Sequence, residues 1–410
     1  MEEWVHLTSL SGPEKQAAAR SILTLSETIP IPLTSVPARV RRGIERWGRR
    51  RNTAERLIAE LANDVDMARY EGTPATGHYE LLRLAAKTRG VQIIEHGDGF
   101  VGLRDARAVL GLTGTTAPST SILASRICRS KRLQLHLLRI AGIPVPEGRS
   151  FRVDESKEAI DYAMRLGWPV VVKPSGLKGG EGVVVGIRSE HQFRSAWQHA
   201  TGAISGRRDH EMIVEREHGG LDVRVYVVDG QAVAGTVRLP PYVRGDGRST
   251  VKELVADANR ARQAHPDLRR LPIVLDVETD RHLALQALTR ESIPRQRRVV
   301  SLRRCGNLSL GGVSVDVTDQ LPDRLIDMAS RAIGLIPGLD AGGVDLLAPD
   351  IRTGMDAVVV EVNAAANISM HHFPVVGKPR DVAGAIVDLS LSLFSPTPAA
   401  AEDSKGTWSR

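Results

Sequence analysis

The chain has 410 residues, enough for two or three domains with a sizeable core, and its 42% apolar and 25% charged residues are the balance of a soluble globular protein, not of a disordered or membrane-embedded chain. The net charge of +7 invites a nucleic-acid reading, but Arg39, Arg41, Arg42, Arg46, Arg49, Arg50 and Arg51 against Glu45 place nearly all of the excess in one 13-residue window. No apolar run reaches the roughly 20 residues that span a bilayer, no secretory signal opens the chain, and Cys128 and Cys305 follow no metal-ligand spacing, so a reducing cytoplasm is the expected setting.

In chain order, a helix is expected over 14–25, a Pro-rich segment over 29–37, and an amphipathic helix over 52–69, where Leu57, Ile58, Leu61, Val65 and Met67 keep roughly helical spacing. A helix over 79–88 and short strands over 91–94 and 100–103, around Gly97-Asp98-Gly99, form a small α/β unit ending near Ser119. Helices follow at 130–140, stopped by Gly142 and Pro144, and at 156–166, closed by Gly167. Strands are read at 169–174 and 183–187 with a glycine-rich turn between them, then at 211–215, 223–228, 232–237, 299–302, 344–347 and 358–362. Further helices fall at 251–262, 283–287, 321–333 and 381–391, and 395–410 has the composition of a disordered tail.

Three features carry chemistry. Lys173-Pro174-Ser175-Gly176-Leu177-Lys178-Gly179-Gly180-Glu181-Gly182 sets a lysine at a strand end before a glycine hinge. Such a hairpin can lay bare N–H groups over phosphates, although glycine hairpins are more often plain turns. Val344-Asp345 and Val360-Glu361-Val362-Asn363 put acids on apolar strands, and period two places Glu361 and Asn363 on one face. With Asp345 they form a hard-oxygen set of the kind that suits Mg²⁺; the alternative is that Asp345 and Glu361 merely end strands at the surface. The stretch 212–224 passes from strand through polar linker to strand, where exposed backbone could read an adenine edge and Asp222 a ribose. Cys305 beside Arg304 is either a lowered-pKa thiol or a bystander.

Taken with Gly142-Ile143-Pro144-Val145-Pro146, Arg238-Leu239-Pro240-Pro241, Asn307-Leu308-Ser309-Leu310-Gly311-Gly312 and Asp316-Val317-Thr318-Asp319, these motifs resemble the ATP-grasp superfamily over about residues 80–392. Within it the likeness is to the ATP-grasp region of cyanophycin synthetase, and secondly to the glutathione synthetase module of bifunctional glutathione-making enzymes. The resemblance implies an α/β (α+β) ATP-grasp fold, two lobes with mixed or antiparallel sheets clasping ATP. The expected organisation is an amino-terminal helical and basic segment (1–78), a pre-grasp α/β domain (79–145), lobe 1 with the lid loop (146–220), lobe 2 with the metal site (221–394) and the tail.

It also implies an ATP-dependent carboxylate–amine ligase that works through an acylphosphate. By carry-over, Lys131 and Lys173 contact ATP phosphates under a lid that includes Ser175, Gly179, Gly180 and Gly182. Glu215, Arg216 and His218 form the adenine hinge and Asp222 touches ribose. Asp345, Glu361 and Asn363 bind two magnesium ions, with Mn²⁺ able to substitute. Arg303 sits near the transferred phosphate and Arg238 near a substrate carboxylate. The expected partners are a small carboxylate or amino acid and an amine or peptide, in a homodimer, with neither membrane nor nucleic acid. Two departures stand out. The cyanophycin-type enzymes follow the metal Asn with Pro-Gly-hydrophobic-Arg-Met-His, whereas here the stretch is Ala365-Ala366-Asn367-Ile368-Ser369-Met370-His371, which removes an arginine. No Mur-ligase-like half follows, so a polymerase of two amino acids is not expected. A catalytically inactive ATP-binding regulatory module is the alternative, and the Arg39–Arg51 run leaves open an acidic partner.

Overall fold

Four antiparallel sheets organise the chain. The computed structural model describes residues 61, 65–95, 100–104, 109–177, 179–206 and 211–393; the arginine window, the helix expected over 14–25, the Pro-rich segment, the turn at 97–99 and the tail all lie outside these. Helix α1 (His78–Thr88) buries Leu81, Leu82, Ala85 and Ala86 on one stripe. Strands β1 (Gln92–Glu95), β2 (Phe100–Arg104) and β3 (Val109–Thr113) form a meander beside it. The third strand is not among the sequence-read elements, because Gly111, paired with Gly102, breaks its apolar pattern at the centre. Of the helix expected over 52–69, residues 67–70 are a short 3₁₀ turn instead, capped by Asp66.

Helices α2 (Ile122–Arg129) and α3 (Lys131–Ile140) lead into strand β4 (Gly148–Arg152), helix α4 (Ser156–Leu166), strands β5 (Val170–Pro174) and β6 (Val184–Ile187), helix α5 (Glu190–Ile204) and strand β7 (Glu211–Arg216). The sheet order is β4-β7-β5-β6. Val170, Val172, Met212 and Val214 pack on Phe193, Ala196 and Trp197 of α5 and on α4. Period two then turns Val171, Lys173, Ile213 and Glu215 to the opposite face. Helix α5 is absent from the sequence reading although its buried residues keep helical spacing, and edge strand β4 is absent because Phe151 is its one fully buried residue.

The second large sheet has order β12-β9-β8-β13-β14, from β8 (Leu221–Val228), β9 (Gln231–Leu239), β12 (Val313–Asp316), β13 (Ala341–Ala348) and β14 (Val358–Asn363). Its face bearing Val223, Val225, Val237, Val344 and Leu346 is covered by helix α8 (Asp323–Gly334), whose Leu325, Ala329 and Ile333 join that core. The other face carries Asp222, Arg224, Thr236, Arg238, Asp345 and Glu361, while Tyr226, Ala234 and Ala341 lie under α1 and helix α10 (Val382–Ser392). Between β9 and β12 sits an insert: strands β10 (Tyr242–Arg244) and β11 (Val299–Ser301) with helices α6 (Val251–Arg262) and α7 (Val277–Ala284) around Val243, Val255, Leu283 and Val300. The helix expected over 283–287 is therefore corrected. It begins six residues earlier, at Val277, because Asp276 and Thr279 form a capping box, and Ala287, at φ 55°, cannot continue it.

The start of the described chain belongs to the same body. Tyr70 is buried, donates to Pro374 O at 3.0 Å and meets the His265 ring edge-on at 5.1 Å. Near it, burial pushes the Asp267 carboxyl up to about 6 from its ordinary 3.8. A carboxyl whose folded pKa is raised costs nothing below the unfolded value and removes stability as pH rises through the folded one. Asp267→Asn is therefore expected to match the parent chain at pH 4 and to melt higher at pH 7.5. An equal difference in melting temperature at both pH values contradicts this.

Candidate active site

Lys131 is the first residue of α3, set there by the N-cap Ser130, whose hydroxyl accepts from Leu133 N. Its buried ammonium donates to Leu177 O at 2.5 Å, in the lid loop, and pairs with Glu361 Oε1 at 3.0 Å, on the second sheet. One cation thus joins the two sheets' facing surfaces. Behind it, Lys173 Nζ and Glu215 Oε1 pair at 2.7 Å, with the residues 3% and 5% exposed, and Glu215 Oε2 has no partner among the described residues. A buried carboxylate oxygen without a donor is costly, and here it is positioned to accept an N–H from a bound molecule. The space between α3 and this face, about 300 Å³, is lined by Arg132, His136, Ser150, Ile213 and Glu215. At the hinge, Arg216 turns outward to Glu147 at 3.1 Å, Glu217 pairs with Arg304 at 2.6 Å, and His218 Nε2 meets Asp356 O at 2.7 Å.

The glycine loop expected to act as the lid runs from Ser175, whose carbonyl accepts from Lys131 N at 3.2 Å. Gly179, Gly180 and Gly182 take φ of 68°, 80° and 70°, a conformation open to glycine and strained for other residues. A β-carbon at Gly180 would stand 3.4 Å from Asn307 Nδ2 and 4.0 Å from Leu310, so the lid rests on the 307–310 turn leading into the second sheet.

Asp345 and Glu361 face each other in register on β13 and β14, and Asn363 Nδ2 lies 3.4 Å from Asp345 Oδ2. Arg224 grips Asp345 with a fork, Nη2 to Oδ2 at 2.8 Å and Nε to Oδ1. Gly343 makes room for it, since a β-carbon there would be 2.8 Å from Arg224 Cδ. Arg238 Nη2 spans Asp345 Oδ1 at 3.0 Å and Asp222 Oδ1 at 2.5 Å. Burial opposes ionisation of Asp345, yet Arg224 and Arg238 hold its carboxyl below the ordinary range. Asp222 goes the other way: burial and the neighbouring Asp345 charge outweigh Arg238 and raise it. Two carboxylates and an amide on adjacent strands are the hard-oxygen donors that suit a divalent ion such as Mg²⁺, with phosphate oxygens completing its shell. Asp345 and Glu361 would exchange Arg224 and Lys131 for that ion.

The sites expected from sequence are only partly brought together. Lys131, Glu361, Asp345, Asn363, Asp222 and Arg238 form one contiguous cluster, and Lys173 with Glu215 a buried pair beside it. The buried guanidinium of Arg303 pairs with Asp276 Oδ2 at 2.5 Å, and no bond joins it to that cluster among the described residues. The lowered-pKa reading of Cys305 is overturned, because desolvation and the nearby Asp222 raise its thiol. His371 and His372 lie on a short helix, α9 (Ser369–His372), and take different partners. His371 Nδ1 meets Thr236 Oγ1 at 2.8 Å, whereas His372 Nε2 accepts from Ala383 N. Burial and Arg224 hold the His371 imidazole well below its ordinary pKa, so it is neutral. Arg224 and His371 are the site residues that sequence reasoning missed. For Arg224 a signal was present, since it alternates with Asp222 along an otherwise apolar strand.

Residues 129–244 match the family model described as phosphoribosylglycinamide synthetase, ATP-grasp (A) domain. The chain belongs to the ATP-grasp superfamily. Among its relatives, cyanophycin synthetase of Trichormus variabilis is 37% identical over 286 residues, covering 68% of this chain and 31% of that protein. The glutathione biosynthesis bifunctional protein of Pasteurella multocida is 28% identical over 384 residues, covering 87% of this chain and 48% of that one. The crystal structure of a bifunctional glutathione synthetase from Pasteurella multocida shares the fold, with TM-score 0.54 and 24% identity over 82% of this chain and 46% of that one. This ATP-grasp chain thus spans about a third to a half of the length of these relatives. No helix among the described residues is long and apolar enough to cross a membrane.

Proposed function

We propose that this ATP-grasp protein is an ADP-forming carboxylate–amine ligase acting on an amino acid or other small carboxylate and on an amine or the amino end of a peptide. The observation that carries the reading is Lys131, which bonds at once to the lid carbonyl of Leu177 and to Glu361 on the carboxylate face. It therefore stands where a phosphate chain would run between lid and metal ligands. The relatives named above are, by name, a cyanophycin synthetase and a glutathione biosynthesis protein, and a ligase reading agrees with both.

In the proposed reaction a carboxylate oxygen attacks the γ-phosphorus of ATP, the bond to the β-bridging oxygen breaks, and ADP leaves. An amine nitrogen then attacks the acyl carbon, the bond to the phosphate oxygen breaks, and phosphate departs with the amine proton passing to solvent. Lys131 offsets the repulsion between the two anions, while Lys173 stays beside Glu215 on the nucleotide side, where Glu215 Oε2 would accept from the adenine amino group. Asp345, Glu361 and Asn363 would hold Mg²⁺, two ions by the family pattern and replaceable by Mn²⁺; when bound, it neutralises phosphate charge. The lid excludes water, which would otherwise hydrolyse the acylphosphate. Arg238 and Arg224 remain to orient a carboxylate once the metal has taken Asp345.

The test is a screen of carboxylate and amine pairs for ADP release with Mg²⁺ and ATP, with products read by mass spectrometry. ATP binding without ADP from any pair would establish the regulatory-module reading instead. Lid closure is separately testable. Gly180→Val strains a residue at φ 80° and sets its side chain against Asn307. ADP release in a productive pair is expected to fall at least about tenfold with the melting temperature little changed. Undiminished turnover would show that the lid needs no close approach there.

A further inference from the structure

The insert carries arginines that the ligase chemistry does not use. Its ribbon β10–β11 ends in two loops, 244–248 and 294–298, which are pressed together by Gly245 N to Arg298 O at 2.8 Å, Arg297 N to Gly245 O at 2.7 Å and Gly247 N to Pro294 O at 3.2 Å. Only glycine fits at 245, where a β-carbon would collide with the carbonyls of Arg295 and Pro294. Exposed on these two loops are Arg248, Arg295, Arg297 and Arg298. Arg298 Nη2 donates to Gln286 O, and among the described residues Arg248, Arg295 and Arg297 have no acidic partner. The local acid, Asp246, spends its carboxylate on Arg248 N, Ser249 N and Ser249 Oγ at 2.7–2.8 Å. Arg297 is also held at φ 67°, a left-handed conformation that strains a non-glycine residue. The fold thus gathers like charges on a strained turn, with Asp246 as the one acid on these two loops and no arginine paired to it among the described residues.

The ribbon's other end is the cleft. Leu302 N bonds to Pro241 O, and the next residues are Arg303 and Arg304, the latter paired with hinge Glu217. Three strand pairs at about 3.3 Å each separate tip from cleft, so about three extended residues would span the ribbon. We propose that the arginine tip docks an acidic segment of a peptide substrate whose reacting end lies in the cleft; this rests on the ligase reading above. An acidic peptide fits better than a nucleic acid, because the patch is confined to two loops and carries no aromatic ring for base stacking, whereas the carboxylates of an acidic peptide complement a compact group of guanidinium charges.

The probe is a fluorescein-labelled octaglutamate, with octalysine and a 12-nucleotide single-stranded DNA as comparisons, read by anisotropy on the full chain. Octaglutamate is expected to bind at 50 mM NaCl, to weaken at least about tenfold at 300 mM, and to weaken at least about tenfold in the double variant Arg248→Glu with Arg295→Glu. Arg248→Gln with Arg295→Gln serves if the reversal disturbs folding, and an unchanged melting temperature shows that either variant is folded. Octaglutamate binding that is equal in the variants, or weaker than binding of the DNA, overturns the proposal. The small-molecule ADP screen needs no docking, so its failure would tell against the ligase reading and leave the docking result separately readable.

Discussion

Glu361→Gln is expected to lower ADP release by at least about a hundredfold while leaving the fold intact. Glu361 lies opposite Asp345 and pairs with Lys131 at 3.0 Å, so the substitution removes one of the two carboxylate charges that face the lid. The amide keeps the shape and an oxygen for Lys131, which limits the structural cost. The Mg²⁺ concentration needed for half-maximal activity should rise in parallel. Turnover like that of the parent chain at low Mg²⁺ would remove Glu361 from the proposed metal set. Loss of activity together with a large fall in melting temperature would instead make the residue structural.

Lys173→Met should produce the largest loss of stability of any single cleft substitution. Lys173 and Glu215 are a buried pair at 2.7 Å, and one Glu215 oxygen already lacks a donor. Removing the lysine leaves an uncompensated buried carboxylate, a change that costs about 3–5 kcal/mol. Urea unfolding measures it, and the midpoint should fall without a change in slope. Adding Glu215→Gln removes the stranded charge and is expected to recover most of the loss. Equal stability of the single and double variants would mean that Glu215 relaxes to solvent. Neither variant should retain the parent chain's affinity for ATP, because both groups line the proposed nucleotide side of the cleft.

Much of this was legible in the residues themselves, for identifiable reasons. The strand bearing Lys173 is a run of valines before a proline and reads as buried on both faces, as it is. The α4 helix and its Gly167 stop follow from apolar spacing and a glycine at φ 86°. Asp345, Glu361 and Asn363 stand out because carboxylates on apolar strands are costly unless partnered. Strands β4, β10 and β12 were not legible. They are short or polar, and their pairing partners lie tens of residues away, so local propensity says little about them. Nor was the partner of Arg303 legible, because no local pattern announces that it pairs with Asp276, the cap of a helix 27 residues earlier.

What the sequence by itself determined was the family, the glycine loop and the inventory of charged groups, since each is written in residue types at short spacing. Glycines at 179, 180 and 182 prescribe a backbone, and period two prescribes which side chains share a face. Only the tertiary structure decided the partners: Lys131 with Glu361, Arg224 with Asp345, and four arginines gathered on two touching loops. Charge pairing depends on distance through space and on desolvation, and both are set by how sheets far apart in the chain come to face each other.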